Sequence, residues 1–213
     1  MDAPALLGPR PFVYPIIDCA VCAARGCDPF AMAAACLDGG ARLLQLRCKA
    51  EGSGAFLALA VRLVQLAAAT GGRIVINDRP DIARLSGAGG VHVGQEDLPV
   101  AAARRIVGPA AIVGVSTHDQ AQVDAALAIG ASYVAVGPVF DTSTKATGYD
   151  ARGLGLVRYA ANRGTPIVAI GGITVDRARA TTEAGADGLA VITDLFEPPG
   201  PEARVRRFLA AIA

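Results

Sequence analysis

Three short stretches hold most of the side chains able to do chemistry: RLLQLRCK over residues 42–49, INDRPD over 76–81 and GQEDLP over 94–99. In the first, a strand period of two puts Gln45, Arg47 and Lys49 on one face and Leu44, Leu46 and Cys48 on the other. The apolar face suits a helix layer. The polar face would point inward, where unpaired charge is costly. A planar guanidinium and an ammonium together suit a phosphate, so these residues are read as an anion clamp. In the other two stretches, Asn77 and Asp78 end one apolar run and Asp97 follows the next. Each acid precedes a helical stretch and could serve as a cap. Two carboxylates on neighbouring loops beside cations also suit Mg²⁺, which takes few protein ligands and shares substrate phosphates. The second use is favoured.

A second group follows later in the chain. The stretch GPVFDTSTKATG places Thr142, Thr144 and Lys145 close together, and AIGGIT and AVITD offer Gly171, Gly172 and Thr193. Glycines let backbone N–H groups approach an anion, so this half suggests a second, backbone-built phosphate site. Ser116 ends a further apolar run, and Asp18 another. His92 and His118 have no evident Ser or Cys nucleophile beside them, and polar positioning or packing is expected of both.

The elements needed to hold these groups follow from periodicity. Short β-like runs (FVYPII, RLLQLR, RIVIN, GVHVG, AIVGVS, YVAVG, PIVAI, GLAVI) alternate with Ala/Leu-rich helical runs around 28–38, 54–70, 80–86, 99–107, 119–129, 151–162, 174–184 and 201–212. Strict alternation demands a parallel sheet. Four strand entries, GGARLLQL, GAGGVHVG, GASYVAVG and GADGLAVI, share a helix-closing Gly, an Ala and an apolar strand. That weak fourfold repeat favours a closed, single-domain α/β (β/α)8 TIM barrel spanning residues 1–213, with chemistry at the C-terminal strand ends.

Composition narrows the function. The chain has 213 residues, 53% hydrophobic and without Trp, so its core must be aliphatic. Twenty basic against nineteen acidic residues leave a net charge of +1, which implies no nucleic-acid partner. No apolar run reaches membrane-spanning length and the first ten residues lack a signal core, so a cytoplasmic protein is expected. Oligomeric state is left open, a homo-oligomer included. Five cysteines fall between residues 19 and 48, and no second pair completes the Cys19–Cys22 CxxC as a zinc site. Free thiols in a reducing compartment are expected.

With these residues assembled, the chain resembles the thiamine-phosphate synthase family from about residue 12 to 197. The markers are QLRxK at 45–49, IND at 76–78, GVHVGQEDLP at 90–99, VGVSTH at 113–118, VGPVFDTSTK at 136–145, AIGGI at 169–173 and GADGLAVI at 185–192. The resemblance implies a Mg²⁺-dependent transferase with small-molecule substrates. It would join a hydroxymethylpyrimidine diphosphate to a thiazole phosphate and release pyrophosphate by a dissociative route. By motif, Gln45, Arg47, Lys49, Asn77, Ser116 and Lys145 would hold the pyrimidine diphosphate. Asp78 and Asp97 would bind the metal. Thr142, Thr144, Gly172, Ile192 and Thr193 would hold the thiazole phosphate. Two positions depart from the family pattern: Cys48 stands where Glu is usual, and Thr193 where Ser is usual. Rival readings are a thiazole tautomerase of the same superfamily and a non-catalytic phosphate-ligand sensing barrel. Both acids and the three cations argue against each.

Overall fold

The computed structural model describes residues 7–142 and 149–213. Eight parallel strands close into a barrel in chain order: β1 (Phe12–Asp18), β2 (Leu43–Arg47), β3 (Arg73–Asn77), β4 (Gly90–Val93), β5 (Ile112–Thr117), β6 (Tyr133–Val136), β7 (Ile167–Ile170) and β8 (Gly188–Val191). The expected (β/α)8 architecture is therefore the observed one. The seam closes through β1 and β8, where Phe12 lies in register with Gly188.

Alternation along each strand sorts the core into two layers. Phe12, Tyr14, Ile16, Leu43, Val75, Ile112, Tyr133, Val168 and Ala190 fill the barrel interior. The opposite faces, including Leu44, Leu46 and Cys48, pack against the helices. Barrel interiors are packed cores rather than pores, and large residues need small neighbours. Tyr133 is in register with Gly114. A Cβ on Gly114 would fall 2.1 Å from Cζ of Tyr133, so the ring occupies the space a side chain would need.

Around the barrel lie α1 (Cys19–Ala24), α2 (Pro29–Asp38), α3 (Ser53–Ala69), α4 (Pro80–Ser86), α5 (Val100–Val107), α6 (Gln120–Ala128), α7 (Gly153–Ala160), α8 (Val175–Glu183) and α9 (Pro201–Ile212). The four repeated entries behave as their sequence suggests: Gly40, Gly87, Gly130 and Gly185 all have positive φ. The chain turns there from helix to strand through a left-handed residue that glycine adopts without strain.

Two elements fall outside the expected alternation. Helix α1 precedes the expected 28–38 helix, because Oδ1 of Asp18 accepts hydrogen bonds from the Ala20 and Val21 amides at 3.0 and 3.2 Å and nucleates a turn directly at the strand end. A 3₁₀ turn, Thr193–Phe196, follows β8. Its Asp194 is buried against Arg204 of α9, which ties the last loop to the last helix.

Candidate active site

Two compartments open at the C-terminal mouth of the barrel. One is lined by Asp18, Gln45, Arg47, Lys49, Asn77, Asp78, His92, Asp97 and Ser116 over a floor that includes Tyr14 and Ile16. The other is lined by Ser116, His118, Pro138, Thr142, Gly171, Gly172, Ile192 and Thr193. Ser116, Ile170, Ala190 and Ile192 line both, so the two are adjoining halves of one cleft. The structure thus brings together every expected site residue among those described. Thr144 and Lys145 lie outside the described residues.

The first compartment is an ordered array of charge. Arg47 donates from Nη1 to Oδ2 of the buried Asp18 at 2.5 Å, fixing the guanidinium at the end of β2. Lys49 pairs with Asp78. Asp78 sits at φ 61°, a left-handed conformation uncommon outside glycine, held by its amide donating to the His92 carbonyl at 2.7 Å. Strain of this kind persists where surrounding structure over-determines it, and it clusters at functional sites. Asp97 reaches back over the same loop, where its Oδ2 accepts the Gly94 amide at 2.7 Å.

The two acids share their environment unequally. Burial opposes the charge on Asp78, but the Lys49 ammonium and a hydrogen bond shared with Asp97 outweigh it, so its carboxyl sits below the usual range. For Asp97, burial and that same hydrogen bond act together and hold its carboxyl above the usual range. Oδ2 of Asp78 is buried and has the Lys49 ammonium as its partner. Two carboxylates on neighbouring loops of one compartment are a donor set for a hard divalent cation. The residues fit Mg²⁺.

Beneath the cations runs a buried chain of hydrogen bonds that sequence reasoning left unassigned. Nε2 of Gln45 donates to the Tyr14 hydroxyl at 3.1 Å, the Tyr14 and Tyr133 hydroxyls are 2.9 Å apart, and His92 contacts Tyr133 through Nδ1 and Ser116 through Nε2, each at 2.8 Å. Burial pushes both phenols up, so each keeps its single proton. Gln45 donates to Tyr14. The arrangement that satisfies every buried group has Tyr14 donating to Tyr133, Tyr133 to Nδ1 of His92, and Nε2–H of His92 to Ser116. His92 is in a polar positioning role, but the expectation that no serine stands beside it is corrected: Ser116, on the neighbouring strand, is its partner. The period-two pattern of β1 places Tyr14 on the same face as Asp18, and that was the available signal.

The second compartment is built mainly from backbone. Gly171 and Gly172 follow β7 with φ of 98° and 61°. A Cβ on Gly172 would lie 2.7 Å from the Asp141 carbonyl oxygen, so this loop packs against the loop after β6 too closely for any side chain. His118 contacts the Gly137 carbonyl through Nδ1 at 2.5 Å and stacks on Tyr149 with 4.2 Å between ring centres. It packs at the rim, as expected.

The expectation of free thiols holds for Cys22, Cys27 and Cys36, while the sulfurs of Cys19 and Cys48 lie against each other as a close pair. Asp18 and Arg47 are in register, so the next residue of each strand end faces the helix layer side by side.

Residues 13–195 match the family described as "Thiamine monophosphate synthase". The chain is 45% identical over 188 residues to a thiamine-phosphate synthase of Anaeromyxobacter dehalogenans, a match covering 87% of this chain and 84% of that one. It is 46% identical over 178 residues to one from Chromobacterium violaceum, covering 83% and 86% respectively. Among solved structures it resembles a thiamine phosphate pyrophosphorylase from Pyrococcus furiosus, with a TM-score of 0.85, 28% identity and 95% of each chain covered.

Proposed function

The chain belongs to the thiamine monophosphate synthase family, and from that premise we propose how its cleft performs the transfer. It is a transferase of thiamine biosynthesis acting on small molecules. In our reading, the charged compartment takes a hydroxymethylpyrimidine diphosphate and the glycine-walled one a thiazole phosphate. The reacting atoms then meet at the shared wall near Ser116 and Ile192. The observation that carries this is the meeting of two unlike compartments in one cleft, one lined by carboxylates and cations, the other largely by glycines and apolar groups.

Asp78 and Asp97 would hold Mg²⁺, which neutralises charge on a departing diphosphate. Arg47, Lys49 and Lys145 would hold the diphosphate oxygens as the carbon–oxygen bond breaks. The charges gathered in the cleft suit a route in which pyrophosphate leaves before the thiazole nitrogen attacks, with Ser116 held by His92 as a positioning group. The buried chain would hold Gln45 and Ser116 in fixed orientations toward the pyrimidine. Thr142, Thr144, Gly172, Ile192 and Thr193 would secure the thiazole phosphate.

The test is pyrophosphate release from purified protein given each substrate alone and both together, with and without Mg²⁺. Release requiring all three components supports the reading. Thiazole isomerisation without pyrophosphate would replace it with the tautomerase reading. Neither reaction, with binding intact, would leave a sensing barrel.

A further inference from the structure

We propose that Cys19 and Cys48 form a thiol–disulfide exchange site behind the diphosphate compartment, whose state sets how firmly Arg47 and Lys49 are held for substrate. Three observations converge on it. The pair is the next residue after Asp18 and Arg47, which are in register on neighbouring strands. Its Cα atoms are 5.2 Å apart, a separation that a disulfide spans without backbone movement. On the inward side of the same two strand ends, Arg47 and Asp18 make the 2.5 Å ion pair that lines the cleft. The two strand ends are therefore tied twice, by charge inside the mouth and by sulfur outside it.

The consequence is directional. Cys48 is followed at once by Lys49, and residues 49–55 are exposed up to the first buried turn of α3. Among the described residues, this segment is held at its start by the Cys48–Cys19 pair and the Lys49–Asp78 pair, and further on by Arg79, which donates to Ser53 at 3.1 Å. Breaking the sulfur bond removes the tether next to Lys49, and its ammonium loses preorganisation against the diphosphate. Both cysteines are nearly buried, and the exposed segment that follows Cys48 brings the Glu51 carboxylate within 4.8 Å of both sulfurs.

Two of the three remaining cysteines do not compete for the role, and the third, Cys27, serves as the control below. Cys22 and Cys36 are fully buried in the helix layer, and burial pushes both thiols up to about 12. Such thiols are poor partners for exchange, which proceeds through the thiolate.

The oxidant is a low-molecular-weight disulfide. A thiolate of the pair attacks one of its sulfurs, breaking the S–S bond and releasing one thiol. The second protein sulfur then attacks the mixed disulfide, releasing the other. Two protein S–H bonds and one reagent S–S bond are lost, and the Cys19–Cys48 bond and two reagent thiols are formed. A dithiol reverses the balance.

The proposal rests on the diphosphate site described above, so the experiment reads the bond and the site separately. Protein isolated without reductant is denatured and alkylated, and its cystine peptides are mapped. Three alkylated thiols and a Cys19–Cys48 peptide are expected. KM for each substrate is then measured before reduction with dithiothreitol, after it, and after reoxidation with glutathione disulfide. Reduction should raise KM for the pyrimidine diphosphate about fivefold or more, leave KM for the thiazole phosphate within about twofold, and be reversed on reoxidation. Cys19→Ser should stay at the reduced value and ignore both reagents, while Cys27→Ser should respond like the unaltered protein. Five alkylated thiols overturn the proposal. So does stoichiometric zinc held by the reduced pair with Glu51, whose carboxylate lies within 4.8 Å of both sulfurs. A bond that opens and closes while both KM values stay unchanged overturns it too. Failure of the site assignment would instead appear as both KM values moving together on reduction.

Discussion

At the scale of single residues, the cleft rests on charges that are each paired but not saturated. Asp78 is the most exposed to test, because its buried Oδ2 has the Lys49 ammonium as its partner and its backbone is held in a left-handed conformation. Asp78→Asn keeps the shape and removes the charge. Turnover is expected to fall about a hundredfold or more while the fold and the KM for thiazole phosphate persist. A fully active variant would sink the assignment of Asp78 to the metal. Lys145→Ala should cost about as much, as the loss of one group that stabilises transition-state charge. The buried chain makes a subtler demand. Tyr133→Phe removes the donor to Nδ1 of His92 and should lower kcat/KM about tenfold, a barrier change of about 1.4 kcal/mol. Tyr14→Phe leaves that bond in place and should cost less. Equal effects in the two variants would show that proton direction along the chain does not matter.

At the scale of elements, loops after strands set the separation of the two compartments. The loop after β7 stands against the loop after β6, and Gly172 is the point of closest approach. Gly172→Ala introduces a Cβ 2.7 Å from the Asp141 carbonyl at a φ of 61°, a combination costing about 1–3 kcal/mol if the loop holds its place. The loop will move instead, and the expected readout is a rise of about tenfold in KM for thiazole phosphate, with KM for the diphosphate substrate steady. A variant in which both rise equally would mean the compartments are not separable. The repeated Gly-Ala strand entries were legible because they recur four times and each needs the same left-handed turn. Helix α1 was not legible. Its six residues are too few to display a helical period, and it exists because Asp18 caps it.

The whole molecule is a rigid barrel that offers binding at one end, so ligand binding should register as stability. With Mg²⁺ and inorganic pyrophosphate at about a hundred times their dissociation constant, the folded state gains about 2.7 kcal/mol. For a chain of this size that is a rise in Tm of roughly 5–10 °C. Mg²⁺ alone should give much less, chelation should remove both the shift and turnover, and Asp97→Asn should abolish the shift without lowering the Tm of the free protein by more than a few degrees. A full shift in Asp97→Asn would mean that the metal is held elsewhere. Among the described residues no helix is long and apolar enough to cross a membrane.

The sequence by itself determined the barrel, the sorting of each strand into an inner and an outer face, and the polar end at which the cleft would form. These are local properties. A period of two assigns Gln45 and Arg47 inward and Leu44 and Cys48 outward whatever the neighbouring strand does. Only the tertiary structure decided which inward and outward residues meet, because that depends on the stagger between strands, and no single strand encodes it. The stagger sets Asp18 beside Arg47 and so pairs Cys19 with Cys48 instead of with its CxxC neighbour, Cys22. It also aligns Tyr14, Tyr133 and His92 across three strands into one hydrogen-bonded chain, through residues separated by up to 119 positions. Asp78 and Asp97 come to line one compartment for the same reason: parallel neighbours bring successive loops to one mouth.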